Sequence, residues 1–354
     1  MTGMTHSNEH QGEVDRALRR VAVLEKAGRF KEALPIYKDL IGRFPEEIEV
    51  LYQMALSLMR GGDLREAINT LRKVLFMKPE HLSARTSMGN ALYLLGYPDQ
   101  AEAAFSAVLE VAPQERNALY GMALLSFNRE AFKTAQSYCQ RLLDIVPSSA
   151  AAHVLMADTL AALSSVDVAI VHYRNALRSD PTMPGALFGL AKLLVQRKRP
   201  RDARAYLENA YAQQPHNQEI KLALAQCLVH EDQAAEAASL LESIHECEPD
   251  NLEVLLELSA AERRLGNNNR AVGYAAQAYR LMPQSQEVGN RLGSALSAIG
   301  EKELARELLT AMAQKRNISL NILEAIRDIG ERELKATGDD ESAPDTDETG
   351  SAQD

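Results

Sequence analysis

The sequence has no tryptophan, only three cysteines and no excess of basic charge. Its 39 lysines and arginines are outnumbered by 49 aspartates and glutamates, giving a formal net charge of −10. A phosphate-backbone binder presents a basic field, so nucleic acid is not an expected partner. Cys139, Cys227 and Cys247 form no CxxC pair and each falls within a helical pattern. They read as small buried hydrophobes of a reducing compartment rather than as disulfide or metal ligands. No run approaches the roughly eighteen apolar residues that span a bilayer, and the opening stretch lacks the apolar core of a signal peptide. The expected address is the cytoplasm, without direct membrane insertion.

Catalytic signatures are missing too. There is no phosphate-cradling glycine loop, no GxSxG elbow and no HExxH helix; the pair His245-Glu246 lacks the second histidine. His6 and His10 have a metal-ligand spacing but lie in a leader without helical patterning. The expectation is a protein that is not an enzyme and carries neither cofactor nor metal.

What the sequence does contain is a period. Pro45, Pro79, Pro113, Pro147, Pro181, Pro215, Pro249 and Pro283 recur every thirty-four residues. With this proline as position 32, nine repeats begin at Val14, Ile48, Leu82, Arg116, Ala150, Pro184, Gln218, Leu252 and Gln286. Position 20 is then alanine in every one, from Ala33 to Ala305. Position 7 is a long apolar residue in all but the first, from Met54 to Leu292, and position 8 beside it is small, from Ala55 to Gly293. Apolar residues at positions 7, 8 and 11 mark one face of a first helix, and those at 20, 24 and 27 mark one face of a second. Small residues at 8 and 20 let the two backbones approach. Glycine at position 15 (Gly28, Gly62, Gly96, Gly266, Gly300) ends the first helix. Pro98 and Pro200 suit the start of the second, and the recurrent proline breaks the chain before the next repeat.

Length, proline, alanine and the small position 8 together resemble the tetratricopeptide repeat over residues 14–319. The resemblance implies an all-α, right-handed superhelical solenoid of antiparallel helical hairpins. The sequence departs from that family's pattern in having no tryptophan at position 4, in placing Arg20 and Val21 where an apolar-small pair is expected, and in replacing the last proline by Asn317. Residues 1–13 are expected to be a disordered N-terminus. Residues 320–336, with an apolar stripe of Ile322, Leu323, Ile326 and Ile329, read as a C-terminal capping helix. Residues 337–354 hold seven acids and no base and read as an acidic disordered tail. Its alternatives are a solubilising role or docking, for example onto the basic run Arg197, Lys198, Arg199, Arg201 and Arg204.

In proteins of the resembling family, first-helix positions 2, 5, 9, 12 and 13 line the concave surface and hold partner peptides or helices. Carried onto this sequence, the candidate partner-binding residues are Tyr52, Leu56, Met59, Asn90, Tyr93, Tyr120, Leu124, Phe127, Asn128, Asp158, Phe188, Lys192, Gln226, Arg263 and Arg264, with Val154, Val195, Leu222 and Val229 on the same face. The lysine and asparagine positions of chaperone-binding members are not matched, nor is the asparagine ladder of sugar-transferase members. The functional expectation is a protein-binding adaptor or scaffold. Alternatives are a regulatory or targeting subunit of a glycosyltransferase or polysaccharide-synthesis machine, and a self-assembling scaffold in which a homo-oligomer forms.

Overall fold

A computed structural model of the chain describes residues 2–313, 324–326, 328 and 329. It is all-α: no strand occurs among the described residues, and the helices follow one another as antiparallel hairpins. Two compact units are distinguished. Met1–Pro181 holds α1 (Thr2–Lys26), α2 (Phe30–Arg43), α3 (Ile48–Arg60), α4 (Leu64–Met77), α5 (Leu82–Leu94), α6 (Pro98–Val111), α7 (Arg116–Asn128), α8 (Phe132–Ile145), α9 (Ala150–Ala162) and α10 (Val166–Ser179). Thr182–Asp354 holds α11 (Pro184–Gln196), α12 (Pro200–Gln213), α13 (Gln218–His230), α14 (Ala234–His245), α15 (Leu252–Leu265), α16 (Asn268–Leu281), α17 (Gln286–Ala298) and α18 (Lys302–Ala313).

The hairpins close where the sequence places small residues. Position 20 is sealed throughout: Ala33, Ala67, Ala101, Ala135, Ala169, Ala203, Ala237 and Ala271 have no exposed surface. Opposite them, Ala55, Ala123, Ala157, Ala191 and Ala225 at position 8 are equally closed off. Ser259, the one hydroxyl at that position, donates to the carbonyl of Ala271 across the hairpin at 2.8 Å. Phe105 of α6 fills the space left by two glycines. A methyl added to Gly89 would stand 2.6 Å from its ring, and one added to Gly121 would stand 2.5 Å from it.

The turns repeat as faithfully as the core. In every repeat the amide at position 16 donates back to the carbonyl at position 11, from Arg29 to Leu24 at 2.9 Å through to Glu301 to Leu296 at 3.0 Å. This is the bond of a Schellman motif, which needs a left-handed residue at position 15. Five repeats use glycine there, whereas Glu130, Ser164, Lys198 and Asp232 adopt φ of 57–61° without it. First helices are capped from the preceding loop: His81, Glu115, Ser149, Asn217, Asn251 and Ser285 each accept an amide of the first turn.

Several expectations need correction or lie out of view. The leader expected to be disordered is the start of α1, which runs from Thr2. Cys139 and Cys227 are buried and burial pushes the thiols up, to about 12 and about 11, but Cys247 is exposed. Its helix α14 stops at His245, leaving Cys247 in the turn. Of the expected capping helix only 324–326, 328 and 329 are described; they are helical, with Ile326 buried. Its remaining residues and the acidic tail 337–354 lie outside the described residues.

Two polar features inside the array were not signalled by the period. Glu262 occupies position 11, which is leucine in every other repeat but the fourth, where it is Ser126, and is wholly buried. Arg270 lies 3.0 Å from its carboxylate and Asn267 donates to it at 2.8 Å, while Arg270 also reaches Glu242 at 2.6 Å. In α9 and α10, His153 and His172 meet Nδ1 to Nδ1 at 2.9 Å, and His153 Nε2 lies 3.0 Å from the Pro147 carbonyl. That carbonyl only accepts, so His153 donates to it through Nε2 and accepts from His172 through Nδ1.

Three outcomes follow from this packing. Gly121→Ala destabilises the chain by about 1–3 kcal/mol through overpacking against Phe105, and Phe105→Leu in that background recovers part of the loss, as read from denaturant midpoints. Ser164→Gly raises stability by roughly 0.5–1 kcal/mol, because relief of about 1–2 kcal/mol of left-handed strain outweighs the extra chain entropy of glycine. His172 is held below its usual range by burial and, second, by His153. An unfolded histidine protonates near pH 6.5, so the unfolded state binds more protons as pH falls through and below that value. Thermal stability therefore drops between pH 7 and 5, and His172→Gln flattens that part of the profile.

Candidate partner-binding wall

Successive first helices touch one another directly, α3 with α5, α5 with α7 and α7 with α9 in Met1–Pro181. No comparable packing joins successive second helices among the described residues, so this unit curls toward its first helices and their free face is the inner wall. Side-chain bonds tie the wall at two heights, the second of them twice. Tyr52 at position 5 meets the Ser87 hydroxyl at position 6 of the next repeat, at 3.2 Å. At position 12, the Tyr93 hydroxyl accepts from Asn128 at 2.6 Å, and Glu25 accepts from Arg60 at 2.9 Å.

The residues expected on this wall are present and half-buried: Tyr52, Leu56, Met59, Asn90, Tyr93, Tyr120, Leu124, Phe127 and Asp158, with Asn128 exposed at the rim. They are not equally free. Met59 packs against the apolar clusters beneath it, Tyr52 lies 4.9 Å from the His81 ring, and Phe127 stands edge-on to Phe132 at 5.6 Å. Tyr120 has its phenol pushed up by burial and then by Cys139, Asp158 and Tyr93 nearby. One wall residue was overlooked: Leu94, at position 13 of the third repeat, leaves 62% of its surface exposed. Its position was the available signal.

Asp158 departs from the rest in bonding behind the wall. It accepts from the Tyr173 hydroxyl of α10, and Tyr173 itself is buried. Burial pushes the carboxyl of Asp158 up, opposed by that hydrogen bond.

The candidates in Thr182–Asp354 form a surface of different character. First helices again touch in series, α11 with α13, α13 with α15 and α15 with α17. Phe188 is half-buried and Lys192 exposed. Gln226 donates to Glu253 at 2.8 Å, Arg263 donates to the Ser294 hydroxyl, and Arg264 lies 3.9 Å from Asp232. Arg263 thus meets a neutral hydroxyl rather than a carboxylate. Val229, expected on this face, is buried at 3% exposure. Glu257, beside Arg291 at 3.6 Å, is pushed up by burial and pulled back by that guanidinium. No helix among the described residues is long and apolar enough to cross a membrane.

Comparison with known proteins agrees with this architecture. The structure of pilF from Pseudomonas aeruginosa is similar with a TM-score of 0.55 at 17% identity, over 60% of this chain and 96% of that one. PilW, a type IV pilus biogenesis factor, is similar with a TM-score of 0.52 at 18% identity, over 58% of this chain and 96% of that one. A chain of the APC/C hetero-tetramer Cut9–Hcn1 is similar with a TM-score of 0.56 at 14% identity, over 79% of this chain and 55% of that one. At such identities the likeness establishes the fold. The sequence pattern of the tetratricopeptide repeat matches residues 24–76, 58–125, 160–208 and 194–262, more than half of the chain, and the protein belongs to that family.

Proposed function

We propose that the chain is a non-enzymatic adaptor or scaffold, and that the first-helix wall of Met1–Pro181 holds a segment of a partner polypeptide. Most stacking is supplied by positions 7, 8, 11, 20 and 24; Tyr52 and Tyr93 also lean on two apolar clusters beneath the wall, whereas Tyr120 and Phe127 belong to neither of them. Tyr52, Tyr93, Tyr120 and Phe127 stand there half-buried, with Leu94 largely exposed between them. That arrangement is the observation that carries the reading. A contiguous, partly exposed aromatic and aliphatic surface favours burial against a partner, and aromatic anchors in a packed wall supply most of the energy of an interface. The face of Thr182–Asp354, with Lys192, Gln226, Arg263 and Arg264, offers hydrogen bonds and positive charge instead.

The test is a triple variant, Tyr52→Ala, Tyr120→Ala and Phe127→Ala, in the full chain. Affinity purification with mass spectrometry is expected to lose the partners captured by the unaltered chain, while the helical circular dichroism signal stays. Capture of the same proteins in the same amounts rejects this wall as the docking surface.

A further inference from the structure

We propose that the segment held by this wall is an apolar or aromatic stretch carrying one basic group, a lysine or arginine side chain, that seats against the carboxylate of Asp158. The inference rests on the wall being the docking surface and names what it selects.

Within Met1–Pro181, the wall around Asp158, formed by α5, α7 and α9, carries no other charged side chain on its inner positions. At the same position 9 in the two preceding repeats stand Leu124 and Asn90. The other acidic or basic side chains of α5, α7 and α9, histidine aside, are Arg85 and Arg116. Arg85 turns to the preceding loop, donating to the Pro79 carbonyl at 2.7 Å, and Arg116 is the exposed first residue of α7. The groups that face Asp158 from the helices packed around it are Tyr173 of α10, Tyr120 of α7 and Cys139 of α8. All three are neutral, and burial pushes each of them further from ionising. No cation pairs with Asp158 among the described residues.

The N-terminal end of the same wall shows how such a carboxylate is otherwise handled. There Glu25 accepts from a buried tyrosine of the second helix, Tyr37, at 3.1 Å. It also has a counter-ion, Arg60 of the next first helix, at 2.9 Å. Asp158 has the tyrosine but no arginine. A half-desolvated carboxylate without a counter-ion costs stability, and a neutral asparagine would accept the same bond from Tyr173. A ligand cation supplies the missing charge where a lowered dielectric strengthens the attraction. Tyr120 lies near Asp158, so an aromatic group is at hand for the stem of lysine or the plane of arginine, and the aromatic and aliphatic wall takes the flanking residues.

The experiment selects a displayed library of random short peptides on three full-length chains: the unaltered protein, Asp158→Asn, and the triple alanine variant of Tyr52, Tyr120 and Phe127. Peptides retained by the unaltered chain and lost on the triple variant are expected to be enriched in a single lysine or arginine between apolar residues. For a synthetic copy of the best, Asp158→Asn weakens binding about tenfold, and replacing the basic residue by methionine abolishes the difference between the two chains. The Asp158→Asn chain melts at the same temperature or higher. Wall-dependent peptides without basic enrichment, or bound equally by Asp158→Asn, overturn the assignment of Asp158 and leave the wall standing. An Asp158→Asn chain that melts several degrees lower with unchanged peptide affinity assigns the carboxylate to the fold and overturns it as well. If no enriched peptide depends on the aromatic residues, the wall reading itself fails and this inference with it.

Discussion

The close approach of two helix backbones at positions 8 and 20 is the constraint on which the structure depends. Alanine at position 20 is sealed in every hairpin, and the residue facing it is alanine, glycine or serine wherever the hairpin is of the common type. Volume is traded between neighbours around that contact rather than fixed at each site. Leucine at position 24 faces a methyl at position 8 in three repeats, Leu71 with Ala55, Leu207 with Ala191 and Leu241 with Ala225, and in the last repeat Leu309 lies over Gly293, where an added methyl would stand 3.0 Å from it. Where position 24 is Phe105, the ring lies against glycine at both Gly89 and Gly121. Such trades are expected of an interior packed to crystal-like density, in which an added methyl must displace something.

The same constraint explains what the sequence makes legible. A feature shared by every repeat is reinforced by the period, so the hairpins, their boundaries and the stacking faces are read directly from proline and alanine spacing. The turn is partly legible. Five glycines announce the left-handed residue at position 15, whereas Glu130, Ser164, Lys198 and Asp232 hold that conformation with no signal beyond their register. Here the Schellman bond common to all repeats overrides local preference. Features peculiar to one repeat are not legible, because they depend on two side chains from different helices. Glu262 is tolerable at an apolar position only because Arg270 and Asn267 reach it, and neither belongs to its helix. Cys247 looked buried because its neighbours follow the helical pattern, yet α14 ends before it.

For the candidate wall, the register gave the positions but not their environment. Tyr52, Tyr93 and Asn128 are tied to adjacent first helices by bonds from position 5 to 6 and from 12 to 13, so the wall is a braced surface rather than a row of free side chains. Braced aromatic groups lose little rotamer freedom on binding, which favours affinity over adaptability. On the Thr182–Asp354 face Gln226 is bonded to Glu253 and Arg263 to Ser294, while Arg264 lies 3.9 Å from Asp232, none of which the spacing of Gln226, Arg263 and Arg264 alone discloses.

Three carboxylates in this chain are compensated to different degrees. Glu262 is the most buried, and it is met by the guanidinium of Arg270 at 3.0 Å and by the Asn267 amide, as expected of an ion pair inside a core. Glu25 is met by Tyr37 and Arg60. Asp158 has only the Tyr173 hydroxyl, and burial pushes its carboxyl up in consequence. A core compensates the charges it retains, and this chain does so in the first two cases. The third stands on a surface that folding leaves partly open, among aromatic rings, with its charge uncompensated. If the wall is the docking surface, the compensation that packing does not provide falls to whatever fills it, and the sign of the charge then fixes the sign of the group that does so.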